Sequence, residues 1–191
     1  MLNPVILWRS RAVLVLLFFV ATSAPFSLVK AFAVTAAATQ QPERQPGVRV
    51  GETAPEFQLQ QMDGTSISLE DFRGHPAVLV FWTSWCSFCK AEAPEFNRLV
   101  RRYRVKGVSV LGINIQDSEK RTRAGIRDFG IRYPVARDTD AQVAQRYQVI
   151  STPTLIFLDA QGVVTYRGNR LPEDYDKRLE VLVRQVHKSI M

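Results

Sequence analysis

A pair of cysteines, Cys86 and Cys89, constrains this chain more than any other feature. They are its only two cysteines, and they sit between an apolar run and an amphipathic segment. The run, Ala77-Val-Leu-Val-Phe-Trp82, contains no polar residue, the pattern of a central strand covered on both faces. Beyond the pair, Phe96, Leu99, Val100 and Tyr103 recur at helical spacing, which predicts a helix from about Ser87 to Tyr103. A strand therefore ends, and a helix begins, at Cys86. Residues three apart share a helix face, so the two sulfurs can meet in a small disulfide ring. The first turn of a helix has unpaired N–H groups and the positive end of the macrodipole. That field favours a thiolate, which predicts Cys86 as the accessible nucleophile and Cys89 as the more buried sulfur one turn inside.

The remaining pattern places this junction in an α/β domain. Phe57 and Leu59 alternate with polar residues, Asp63-Gly64 signals a turn, and Ile67 and Leu69 alternate again, which predicts an N-terminal β-hairpin. Val108–Ile115 reads as the next buried strand. Helices are expected over Glu119–Phe129, resting on Ala124, Ile126 and Phe129, and over Asp140–Tyr147, resting on Val143, Ala144 and Tyr147. Tyr133-Pro-Val is a short extended piece. Leu155–Leu158 and Val163–Arg167 form a second hairpin about Asp159–Gly162. Tyr175, Leu179, Leu182, Val183, Val186 and Ile190 mark a C-terminal amphipathic helix. The expected architecture is a central mixed sheet flanked by helices.

The N-terminal region reads differently. Arg9 and Arg11 precede Ala12–Val20, a strongly apolar stretch, and Ala31-Phe-Ala33 offers a cleavage site for small residues. Residues 1–33 thus form a secretory signal, or a membrane anchor if the apolar stretch extends to Val29. Basic residues on the N-terminal side direct the remainder of the chain out of the cytoplasm. Residues 34–50 are small, polar and proline-bearing, a flexible linker, and residues 51–191 are the domain. The formal charge of +7 includes three basic residues of the leader and none of the acids. It carries no sign of nucleic-acid binding. The cluster Arg98, Arg101, Arg102, Arg104, Lys106 reads as the solvated face of a helix.

An exported domain whose only cysteines are three apart has no disulfide framework, and such a bridge closes too short a loop to stabilise much. Zinc needs four ligands, and His75 and His187 are isolated; copper(I), satisfied by two thiolates, leaves a non-catalytic copper carrier open. No metal or other cofactor is expected. Thiol–disulfide exchange fits best: Cys86 attacks a substrate disulfide, and Cys89 resolves the mixed disulfide. Cys89 then needs a base, and Glu92, three residues on along the same helix face, is the candidate. Trp85 offers substrate a flat apolar contact beside the sulfur.

Phe81-Trp-x-x-Trp-Cys-x-x-Cys followed by Lys-x-Glu-x-Pro resembles the TlpA/ResA/CcmG group of thioredoxin-like thiol-disulfide oxidoreductases, exported or membrane-tethered bacterial proteins. The resemblance covers roughly residues 51–188. It implies a thioredoxin-like topology, a proton role for Glu92, and a cis-proline loop at Thr152-Pro153 that faces the cysteines and pairs with substrate. Where thioredoxin carries a buried Asp, this chain has Val80. The resemblance also implies a periplasmic disulfide reductase acting on protein disulfides such as apocytochrome c, in cytochrome c or cytochrome oxidase maturation. Its electrons would come from a membrane donor of the DsbD/CcdA type. Peroxiredoxins share the domain opening and the spacing of Thr83 and Cys86, but they carry a proline where Leu79 stands. A peroxidase is therefore the second reading, and a copper(I)- or haem-chaperone without turnover the third.

Overall fold

The computed structural model describes residues 48–190. The leader and most of the linker lie outside the described residues. Seven strands and four α-helices follow in the order β1 (Gln58–Gln61), β2 (Ser66–Ser68), β3 (Ala77–Trp82), α1 (Ser87–Tyr103), β4 (Ser109–Ile115), α2 (Glu119–Phe129), β5 (Val135–Asp138), α3 (Gln142–Arg146), β6 (Thr154–Leu158), β7 (Val164–Gly168) and α4 (Tyr175–Ile190). They form one mixed sheet in the order β2-β1-β5-β4-β3-β6-β7. The strands β3, β4 and β5 run parallel, and β6 returns antiparallel to β3.

Strand β3 is central because it has no polar side chain to offer water. Its residues alternate between two cores. Leu79 and Phe81 face Phe57, Phe72, Ile113 and Tyr147 on one side. Val78 and Val80 face Phe96, Leu99, Tyr103 and Leu179 on the other, which α1 and α4 cover. The N-terminal hairpin closes with Leu59 opposite Ile67. Gly64 turns it at a φ of 89°, while Asp63 Oδ1 accepts from the Thr65 N–H and hydroxyl at 2.9 and 2.6 Å. The extended piece at Tyr133–Val135 becomes β5, which joins this hairpin to the parallel strands.

Three details differ from the sequence expectation. On α2 the residues facing inward are Thr122 and Gly125, with Ala124, Ile126 and Phe129 only half-buried. The cause is Trp82: a Cβ at Gly125 would lie 2.7 Å from its ring, so the missing side chain lets α2 close over the indole. Helix α3 starts late, at Gln142, because Ala141 is left-handed at φ 59°. The buried Asp138 carboxylate caps it, accepting from the N–H groups of Val143 at 3.1 Å and Ala144 at 2.7 Å. Val48, within the stretch read as linker, is buried in the core. The basic cluster at and just beyond the end of α1 is exposed yet partly engaged, since Arg102 pairs with Asp176 at 2.7 Å and Lys106 with Glu180, both on α4.

Candidate active site

The pairing of β3 ends at Trp82, and the chain turns through Thr83–Trp85 to Cys86, the N-cap of α1. Cys86 is extended (φ −80°, ψ 105°), and its Sγ accepts from the Cys89 N–H at 3.0 Å. A sulfur thus takes the position usually filled by a Ser or Asp oxygen at a helix start. No acidic residue of α1 lies in that first turn to offset the dipole. The two cysteines form a disulfide with Cα atoms 5.3 Å apart.

Burial does not separate the sulfurs in this oxidised form: Cys86 is 5% and Cys89 4% exposed. Cys86 Sγ lies beneath the Thr152 carbonyl oxygen, 3.4 Å away; the expected contrast in accessibility concerns the reduced thiols. Both cysteines pack with Trp82 and Val135. The asymmetry between them lies in their stations, Cys86 at the cap and Cys89 inside the helix. The Thr152–Pro153 peptide is cis, Pro153 is buried and Thr152 half-buried.

Near the enclosed disulfide, large apolar side chains are exposed. Trp85 and Phe88 are each 74% exposed, and Ile150 is 96% exposed. Trp85 and Ile150 line a groove of about 380 Å³ with Thr83, Arg121, Val149 and Thr152. Large exposed apolar side chains gathered at one place mark a surface that meets another molecule.

Glu92 is half-buried one turn beyond Cys89. Its Oε2 is enclosed without a hydrogen-bond partner. Burial pushes its carboxyl above the ordinary glutamate value, and the Leu171 N–H and the Arg170 charge offset this only in part. Val80, at the position of thioredoxin's acid, is 1% exposed and surrounded by apolar side chains.

Two groups escaped the sequence reading. Asp117, after β4, accepts from the Ser84 N–H at 2.6 Å, the Ser84 hydroxyl at 2.9 Å and Asn114 Nδ2 at 2.9 Å. Thr122 in turn donates to Asn114 Oδ1 at 2.7 Å. This buried network pins the turn that carries Trp85 and Cys86. Asn169, after β7, bonds to the cis-proline loop. The only sequence signal for Asp117 is a polar pair, Asn114 and Asp117, at the end of an otherwise apolar strand. Among the described residues, no group of three or more His, Cys, Asp or Glu side chains could hold a metal ion. Among them, too, no helix is long and apolar enough to cross a membrane.

A cysteine pair opening the first long helix of a mixed sheet, with a cis-proline loop against it, defines a thioredoxin-fold protein of the dithiol–disulfide class. Residues 50–167 match the AhpC/TSA family, and the chain belongs to it. The chain is 34% identical over 135 residues to the thiol-disulfide oxidoreductase ResA of Geobacillus kaustophilus, covering 70% of this chain and 78% of that one. A thiol-disulfide oxidoreductase from Bacteroides fragilis superposes with a TM-score of 0.62 at 26% identity, covering 69% of this chain and 99% of its own. A secreted Mycobacterium tuberculosis disulfide oxidoreductase, homologous to Escherichia coli DsbE, gives 0.57 at 25% identity, covering 67% and 95%. Within its family the protein is of the TlpA/ResA/CcmG kind, and its activity class is thiol-disulfide oxidoreductase.

Proposed function

We propose that the protein is an exported reductase of protein disulfides that works through Cys86, Cys89 and Glu92. The observation that carries this reading is the Cys86–Cys89 disulfide closed at the N-terminus of α1 beneath the Thr152 carbonyl. In the reduced protein the Cys86 thiolate, favoured by the helix N-terminus, attacks one sulfur of a substrate disulfide. The substrate S–S bond breaks, one substrate sulfur leaves as a thiolate and takes a proton from solvent, and a Cys86–substrate disulfide forms. The Cys89 thiol passes its proton to the Glu92 carboxylate, and the resulting thiolate attacks Cys86 Sγ. The second substrate sulfur leaves as a thiolate and takes up a proton, Glu92 releases its own to solvent, and the Cys86–Cys89 disulfide forms. Two electrons have passed to the substrate, and an external dithiol must restore them.

Trp85, Thr152 and Pro153 serve substrate binding. The Thr152 backbone presents an edge to an extended chain, as in strand addition, and Trp85 covers apolar side chains beside the reacting cysteine. The leader at residues 1–33, cleaved after Ala33 or kept as an anchor, supports a periplasmic location. So does the likeness to a secreted oxidoreductase. There a membrane donor of the DsbD/CcdA type would supply electrons, and apocytochrome c is the candidate substrate that the TlpA/ResA/CcmG resemblance brings. A peroxidase would need a proline where Leu79 lies fully buried in β3.

Dithiothreitol-driven reduction of insulin disulfides tests the reading, with peroxide consumption measured alongside. The wild type is expected to accelerate insulin reduction and Cys86→Ser to abolish it, with no peroxide turnover in either. Peroxide consumption without insulin reduction would replace the reductase with the peroxidase.

A further inference from the structure

The loop residues that meet substrate in this reading, Thr152 and Pro153, precede the β6 ladder, whose pairing with β3 begins at Thr154. Side chains must therefore hold them. On one side Thr154 Oγ1 donates to the Ser151 carbonyl at 2.7 Å. On the other stands Asn169. Its Nδ2 lies 2.9 Å from the Pro153 carbonyl oxygen, 2.9 Å from Ser151 Oγ and 3.2 Å from Thr154 Oγ1. A carbonyl only accepts, so the nitrogen, not the oxygen, of the Asn169 amide must face the loop. Its two hydrogens are shared among three acceptors that bracket Thr152, the residue whose carbonyl sits 3.4 Å from Cys86 Sγ.

The backbone that presents Asn169 is itself fixed. A Cβ at Gly168 would collide with the Tyr166 phenol, and the Tyr166 hydroxyl donates to the Arg170 carbonyl at 2.8 Å. Two residues beyond Asn169, the Leu171 backbone lies near enough to Glu92 to favour its charged form. One turn, residues 168–171, therefore touches the loop over Cys86 and runs near the carboxylate beyond Cys89.

We propose that Asn169 is a positioning residue for the exchange reaction, whose side-chain amide fixes the Thr152–Pro153 edge in register with Cys86. It acts through that edge and touches neither reacting sulfur. The proposal rests on the reading of Thr152–Pro153 as the substrate edge. Asn169 is exposed, so water competes for its donors, and the consequence is moderate.

The test compares wild type with Asn169→Leu and Asn169→Asp, which keep the side-chain size and remove the donors. Insulin reduction, alkylation of reduced Cys86 by iodoacetamide and thermal unfolding are measured on each. Both variants are expected to lose about tenfold in kcat/KM for insulin, mainly through KM, the loss that one or two net hydrogen bonds can account for. Alkylation should stay within about twofold of wild type, because a small reagent does not use the edge. Asn169→Ser, which keeps one donor, should recover part of the loss. Wild-type kcat/KM in Asn169→Leu or Asn169→Asp overturns the proposal. A parallel fall of insulin reduction, alkylation and unfolding temperature overturns it too, since that is a structural role. A wild type inactive on insulin defeats the reductase reading, and the positioning role with it.

Discussion

On the N-terminal side of the disulfide, Asp117 has donors on both carboxylate oxygens, two of them from Ser84 in the turn before Cys86. On the C-terminal side, Glu92 has a carboxylate oxygen enclosed with no partner at all. Both acids lie close to the cysteine pair in the fold, and both are at least half-enclosed. A carboxylate with its oxygens engaged is a fixed acceptor that holds a turn in place. A carboxylate short of donors gains less from being charged, so it changes protonation more readily. The two flanks therefore suit the two parts of the proposed mechanism, a held turn before Cys86 and a proton acceptor beyond Cys89.

The largest expected effect is on the Glu92 flank. Glu92→Gln keeps the shape and removes the titrating group, and insulin turnover should fall about 10²-fold, the lower end of what positioned proton transfer contributes. In the wild type, turnover should rise with pH through the raised Glu92 value, because only the carboxylate can take the Cys89 proton. Glu92→Gln should lose that limb and retain the one set by Cys86. Unchanged turnover across roughly pH 6–8 would return Glu92 to an ordinary helix carboxylate.

Stability should move the other way. The folded-state value of Glu92 is raised, so folding is favoured when the group is protonated and loses that contribution as pH rises through the folded value. Glu92→Gln is therefore expected to match wild type in acid and to unfold at a higher temperature than wild type at neutral pH. A variant that is less stable at neutral pH would mean the charged carboxylate is held by contacts that outweigh its burial.

On the Asp117 flank the expected loss is in stability. Asp117→Ala leaves the Ser84 and Asn114 donors without their acceptor and should cost about 1–3 kcal/mol in denaturant unfolding. Asp117→Asn keeps one acceptor oxygen and should cost less, with the pH profile of turnover unmoved. A shifted pH profile in Asp117→Asn, beside an unshifted one in Glu92→Gln, would exchange the roles of the two acids. The smallest expected change is for Trp85→Ala, a rise of a few-fold in KM for insulin with kcat preserved, as for a contact made equally before and during reaction.

Much of the frame was legible because strong patterns set it. The apolar run of β3 and the helical spacing of Phe96, Leu99 and Tyr103 place the strand, the helix and the cysteines between them. The parts that were not legible depend on contacts across the fold. Gly125 turns inward on α2 because Trp82 lies beneath it, and Thr122 because its hydroxyl donates to Asn114, and no local period reports either. Asp117 and Asn169 sit in polar stretches that read as loop. Their partners are 33 and 16 residues away, on segments that only the folded sheet brings together. The cover over Cys86, the Thr152 carbonyl, is also a contact across the fold, and only the family resemblance, not the local pattern, set that loop against the cysteines.

The division of labour between the two sulfurs is tested most directly by trapping. Reduced Cys89→Ser and Cys86→Ser proteins are each mixed with oxidised insulin, quenched with acid, and resolved without reductant. Cys89→Ser is expected to accumulate a covalent complex with an insulin chain, because Cys86 can attack and nothing resolves the product. Cys86→Ser is expected to give none. A complex that forms through Cys89 in Cys86→Ser, and is missing in Cys89→Ser, would contradict the assignment of nucleophile and resolving thiol.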